Sequence, residues 1–167
     1  MIHNIMPDFS SLCGSCKSQG CCTDSAVPLV FDSDFIELKS IGKATNEFLH
    51  DRNVNGNIIK AINKKKDSTE CVFWIDDKCS IYHQRPFDCR AYPFDILKVN
   101  ESYCWIVYSC NPDSDWSWAE SYLQDLEKDR AFSEVMQKVE IFSGNTSIIL
   151  PTESEKTPYI ILRKVRY

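Results

Sequence analysis

The sequence predicts an α+β fold: a single small domain organised around a multi-cysteine metal site, with short β-hairpins, peripheral helices and one long C-terminal helix. Three observations predict it. Nine of the 167 residues are cysteine, and the stretch from Cys71 to Pro93 holds three of them with two arginines and two prolines. Runs of β-branched and aromatic residues bounded by turn formers read as hairpin strands. From Asp113 to Phe142, the residues Trp118, Tyr122, Leu126, Phe132, Val135, Met136 and Val139 recur at near-helical spacing, with a break in the pattern near Asp129. The length suits one core. A composition of 43% hydrophobic and 26% charged residues argues against disorder. A net charge of −5 supplies no general pull towards nucleic acid or anionic membrane.

In chain order, Met1 to Leu12 has neither the basic start nor the apolar run of a signal peptide. No segment approaches the roughly 18 apolar residues of a membrane span. The expected location is therefore cytoplasmic, where thiols stay reduced. Reduced, clustered cysteines in an odd number favour metal over a disulfide scaffold. Cys13, Cys16, Cys21 and Cys22 form a C-x2-C-x4-C-C knuckle, a spacing that lets two thiolates grip one ion from a tight turn. A redox C-x-x-C would need a strand before it and a helix after it, and neither is read here. Side chains of neighbouring residues point in opposite directions in extended chain. Cys21 and Cys22 therefore either serve two metal centres, or one ligates while the other packs.

The segment from Phe31 to about Leu49 reads as helical. Asp32 or Ser33 would cap it, Phe35, Ile36, Leu38 and Ile41 give an apolar side, Gly42 is a stop, and a second short helix starts at Thr45. Asn53 to Asn57 reads as a loop, and Asn57 to Lys66 as a helical turn whose last three lysines face the helix dipole. Cys71 to Ile75 reads as a strand, Asp76-Asp77-Lys78 as a turn, and Cys79 to Tyr82 as the returning strand or the start of a short helix. Such a hairpin would bring Cys71 and Cys79 together. Arg85 is held extended before Pro86. Pro86 opens a helical turn bearing Cys89 and Arg90, and Pro93 stops it. A hairpin sulfur and a sulfur on the next turn can converge on one point, as in many small metal sites.

Phe94 to Val99 and Tyr103 to Tyr108 flank Asn100-Glu101-Ser102 as a β-hairpin. Cys104, inside its second strand, reads as a small buried hydrophobe, whereas Cys110 falls in a loop that suits a ligand. Asp113 or Ser114 caps the C-terminal helix and Gly144 ends it. Ser147 to Leu150 and Tyr159 to Leu162 are strand candidates. The expected organisation is one domain over residues 1–167, with 13–110 as the cysteine-cluster metal-binding core and 111–167 as a helix and strand extension.

These motifs carry a resemblance. The knuckle ending in Cys21-Cys22, then Cys71-Val-Phe-Trp74, then Cys79-Ser-Ile-Tyr82-His-Gln-Arg85-Pro86-Phe-Asp-Cys89-Arg90-Ala-Tyr-Pro93 resembles the cysteine-cluster family of CxxCxxCC type, described as a zinc- or iron-chelating domain. The likeness runs from Cys13 to about Cys110, and the spacing of the knuckle is where this chain departs. The family's pattern of eight cysteines implies Cys13, Cys16, Cys21, Cys22, Cys71, Cys79, Cys89 and Cys110 as metal ligands. One similar group, the flagellin lysine methylases, implies an iron–sulfur enzyme.

Eight thiolates fit two zinc ions, two iron–sulfur clusters such as 4Fe-4S, or one cluster with spare ligands. Lys17, Lys78, Arg85 and Arg90 stand beside these cysteines and could donate to sulfur from behind, Arg85 and Arg90 foremost. A surface pair with Asp76, Asp77 or Asp88 is the other reading of Arg85. His83 reads as exposed rather than as a ligand. No Gly-rich phosphate loop, nucleophile elbow or H-E-x-x-H is present. The expected function is binding of zinc or an iron–sulfur cluster through up to eight thiolates. The alternative is an iron–sulfur-dependent enzyme of redox or SAM type, such as one with a protein lysine methylase-like activity. Neither nucleic acid nor membrane is an expected partner. Metal and fold should be coupled. Only a shared metal site would tether the knuckle across the 48 residues between Cys22 and Cys71, and its removal should collapse the near-UV signal of the tryptophans.

Overall fold

The structure is a computed structural model, and residues 27–54, 56–108, 115–142 and 159–167 are described. The chain runs β1 (Leu29–Val30), a 3-10 turn (Asp32–Asp34), α1 (Phe35–Lys39), α2 (Thr45–Phe48), β2 (Leu49–Val54), β3 (Asn57–Ile62), β4 (Trp74–Ile75) and β5 (Lys78–Cys79). It continues through a second 3-10 turn (Tyr82–Gln84), α3 (Phe87–Ala91), β6 (Phe94–Val99), β7 (Ser102–Tyr108), α4 (Ala119–Glu127), α5 (Phe132–Phe142) and β8 (Tyr159–Lys164). Among the described residues the strands form three antiparallel sheets, ordered β1-β3-β2, β4-β5 and β6-β7-β8. The α+β class is as expected, and so is the β6–β7 hairpin.

Several elements differ from expectation, each for a local reason. The long C-terminal helix is two helices. α4 closes at Lys128, and Asp129 Oδ1 accepts the Ala131 N–H at 2.9 Å. That side-chain bond replaces a helical one and breaks the run. The expected cap at Asp113 or Ser114 lies outside the described residues. α4 is instead approached through Asp115, whose carboxylate accepts the Ser117 N–H at 2.9 Å. The helical turn over Asn57 to Lys66 is strand β3. Val54 pairs with Asn57, and Gly56 has a φ of 81°; an Asn-Gly dipeptide in the sequence at this point favours a two-residue hairpin turn. The stop at Gly42, left-handed at φ 78°, and the second helix from Thr45 are as expected, whereas the stretch opens as a 3-10 turn and Leu49 already belongs to β2. Gly144 and Ser147 to Leu150 lie outside the described residues.

Strand alternation divides the apolar side chains between two clusters. Leu29, Val54, Ile59 and Ala61 face the larger one, where Phe94, Ile96, Trp105 and Val107 of the β6-β7-β8 sheet meet Leu123 and Leu126 of α4 and Phe132 and Val139 of α5. Val30, Leu49 and Ile62 face the smaller one, with Leu38, Phe48, Phe73 and Ile81. Glu134 of α5 joins the two halves. It accepts the Asp32 and Ser33 amides and so caps the first 3-10 turn from about a hundred positions away.

Candidate metal centre

Of the eight motif cysteines, Cys71, Cys79 and Cys89 are described, whereas Cys13, Cys16, Cys21, Cys22 and Cys110 lie outside the described residues. Cys71 forms a bridge with Lys64, and its carbonyl accepts the Trp74 N–H at 2.9 Å. The expected strand therefore shrinks to Trp74–Ile75, and Cys71 does not pair with Cys79 across the hairpin. The β4–β5 turn uses Asp76 (φ 50°) and Asp77 (φ 58°), both left-handed, which sets Trp74 opposite Cys79. Cys89 sits mid-way along α3. Pro86 occupies the N-cap, one position earlier than expected, and Phe87 is the first helical residue. Phe87 and Ala91, four apart, face the larger cluster, and Cys89 faces the smaller.

A bridge, a hairpin and a helix thus deliver three thiols to one apolar cluster. Cys71 is buried within it, and Cys79 and Cys89 pack against it half-buried. All three carry thiols rather than disulfides. Cys104 is buried in β7, outside that cluster, opposite Leu97 and Lys164, and meets its expectation as a core thiol.

The first described residues after the knuckle are held beside β3 and α3. Pro28 O accepts the Ile62 N–H at 3.0 Å, β1 pairs with β3, and the Leu29 N–H donates to Asp88 Oδ2 at 2.8 Å. Strand pairing therefore holds the chain from Pro28 onward to this part of the fold without a metal. Burial pushes the Asp88 carboxyl up to about 7; the Leu29 N–H opposes the rise, while Asp95 and Asp34 add to it.

Arg85 lies with its guanidinium 3.7 Å from the centre of the Tyr82 ring, and its Nε donates to Tyr82 O at 2.9 Å. Arg90 Nε donates to Arg85 O at 3.0 Å, Nη1 pairs with Asp129, and Nη2 stands 3.9 Å from Asp34. Burial works against the Arg90 charge, but Asp129 and Asp34 outweigh it. Tyr122 donates its hydroxyl proton to Arg90 O. His83 is exposed, edge-on to Tyr82 with centroids 5.7 Å apart, and Lys78 is exposed on β5. Asp34, Tyr122 and Asp129 escape sequence reasoning because their partners lie 53, 32 and 39 positions away.

Among the described residues, no group of three or more His, Cys, Asp or Glu side chains makes a metal site, and no helix is long and apolar enough to cross a membrane. The fit to a metal rests on donor chemistry: thiols are soft ligands that select zinc or iron over hard cations. Fold and thiols together define a small α+β domain with sulfur donors gathered on one apolar cluster. The chain belongs to the CxxCxxCC family, described as a "putative zinc- or iron-chelating domain", whose model matches residues 12–111. No curated protein and no solved structure matches the chain.

Proposed function

We propose that this chain holds zinc or an iron–sulfur cluster through the thiolates of Cys13, Cys16, Cys21, Cys22, Cys71, Cys79, Cys89 and Cys110. The observation that carries the reading is the gathering of Cys71, Cys79 and Cys89 on one apolar cluster from three separate elements. Apolar surroundings disfavour a lone thiolate, whereas a coordinated metal deprotonates it outright. Zinc held by four thiolates is a closed structural site; an iron–sulfur cluster adds electron transfer and the route to an enzyme. Arg90, next in sequence to Cys89 and held by Asp129, Asp34 and Arg85 O, would support the site from behind together with Arg85.

Elemental analysis of anaerobically purified protein should find zinc or iron, and broad visible absorbance identifies the iron–sulfur form. Cys79→Ser and Cys89→Ser should lose the metal while Cys104→Ser keeps it. Because each ligand must shed its proton, retention against a chelator should weaken as pH falls. Neither metal in the wild type, or equal loss from all three variants, would reject the reading.

A further inference from the structure

We propose that Asp34 is a positioning residue for the Cys89 thiolate, fastening the helix that carries it from across the fold. The proposal rests on the metal-chelating reading above.

α3 is five residues long, with Pro86 at its N-cap. Proline has no side-chain acceptor, so the opening amides of α3 lack the local cap that serine, threonine or aspartate would supply. Asp34 supplies it from a distance. Its Oδ1 accepts the Phe87 N–H at 2.9 Å, and its Oδ2 accepts the Phe31 N–H at 2.9 Å. Only 4% of Asp34 is exposed, and a buried carboxylate is tolerated where its oxygens are satisfied and its charge is met. Arg90, one residue beyond Cys89, meets that charge at 3.9 Å and is itself held by Asp129.

A second tie runs the opposite way, from the Leu29 N–H to Asp88 Oδ2 at 2.8 Å. α3 is therefore clamped by two carboxylate–amide bonds to the segment that follows the knuckle. A helix of one and a half turns has no orientation of its own. Its rotation is set by these ties, and rotation decides whether Cys89 faces the cluster shared with Cys71 and Cys79.

The test compares Asp34→Ala and Asp34→Asn with Glu134→Ala in the full-length protein. Glu134 caps the same 3-10 turn, and its hydrogen bonds run to Asp32, Ser33 and Lys138 rather than to α3, so it controls for stability. Each protein is stripped and reloaded with zinc alone or cobalt(II) alone. Zinc affinity is read by chelator competition, thiolate ligation by the sulfur-to-cobalt charge-transfer band, and stability by urea unfolding. Asp34→Ala should lower zinc affinity about 10- to 100-fold and weaken the charge-transfer band. Asp34→Asn, which keeps one carbonyl acceptor for Phe87, should recover part of both. Glu134→Ala should keep affinity and band even where its urea midpoint falls as far. An unchanged affinity and band in both Asp34 variants, or an equal fall in Glu134→Ala, overturns the proposal. Wild-type protein that takes up neither metal overturns the metal-chelating reading and this proposal with it.

Discussion

Glu127 accepts hydrogen bonds from Arg163, from the Arg166 amide and from the Trp105 indole, with its side chain only 7% exposed. Burial pushes its carboxyl up, and these donors outweigh it, leaving it below its ordinary 4.5. Glu127→Ala strips these donors of their acceptor, but Arg163 keeps Glu120 at 2.7 Å, so stability should fall by roughly 1–3 kcal/mol, seen in the urea midpoint. The folded pKa lies below the unfolded one. The stabilisation is therefore complete above an ordinary pKa of 4.5 and fades as pH falls through the folded value. The stability gap between wild type and Glu127→Gln should narrow over that acid range; a constant gap would show that the charge contributes nothing. Residues of this kind are illegible in the sequence. A cysteine knuckle is a local spacing, whereas Glu127 and Arg163 meet 36 positions apart and neither has a local signature.

Elements were legible where alternation and turn chemistry agree. Phe94 to Val99 and Tyr103 to Tyr108 alternate around polar residues, and the hairpin forms there. Asn57 to Ile62 misleads because a short apolar run carries no decisive period; the signal was Asn55-Gly56. The pattern breaks near Asp129 and the helix breaks there too, while the shared apolar period reflects that α4 and α5 both line the larger cluster. The β6–β7 turn carries its own prediction. Asn100 (φ 47°) and Glu101 (φ 62°) are both left-handed between paired Val99 and Ser102. Left-handed backbone costs an L-residue roughly 1–2 kcal/mol, partly offset in a glycine variant by the looser unfolded chain. Glu101→Gly should therefore raise stability by about 0.5–1 kcal/mol. Its ion pair with Lys98, at 3.7 Å and exposed, is too weak to reverse that. An unchanged or lowered urea midpoint would count against a strained turn.

Across the whole molecule, the two clusters divide the four tryptophans. Trp105, Trp116 and Trp118 belong with the larger cluster and Trp74 with the thiols. The sequence, which sets Val72 to Ile75, Phe94 to Val99 and Trp105 to Tyr108 close to cysteines, suggests that metal removal collapses the near-UV signal as one. The structure leads to a different outcome: chelation under reducing conditions should remove the Trp74 contribution, identified with Trp74→Phe, and leave most of the rest. Loss of the entire signal would mean that the clusters melt together. The stitching of Pro28 to Ile62 has a consequence for assembling the proposed metal site. Closing an unstructured loop over the 48 residues between Cys22 and Cys71 would demand a chain-entropy penalty that grows with its length. With β1 laid on β3 and Cys71 bridged to Lys64, the span left to close is on the order of eight residues. That is between two and three halvings, each worth about 0.6 kcal/mol, so the sheet would lighten the proposed binding step by about 1.5 kcal/mol.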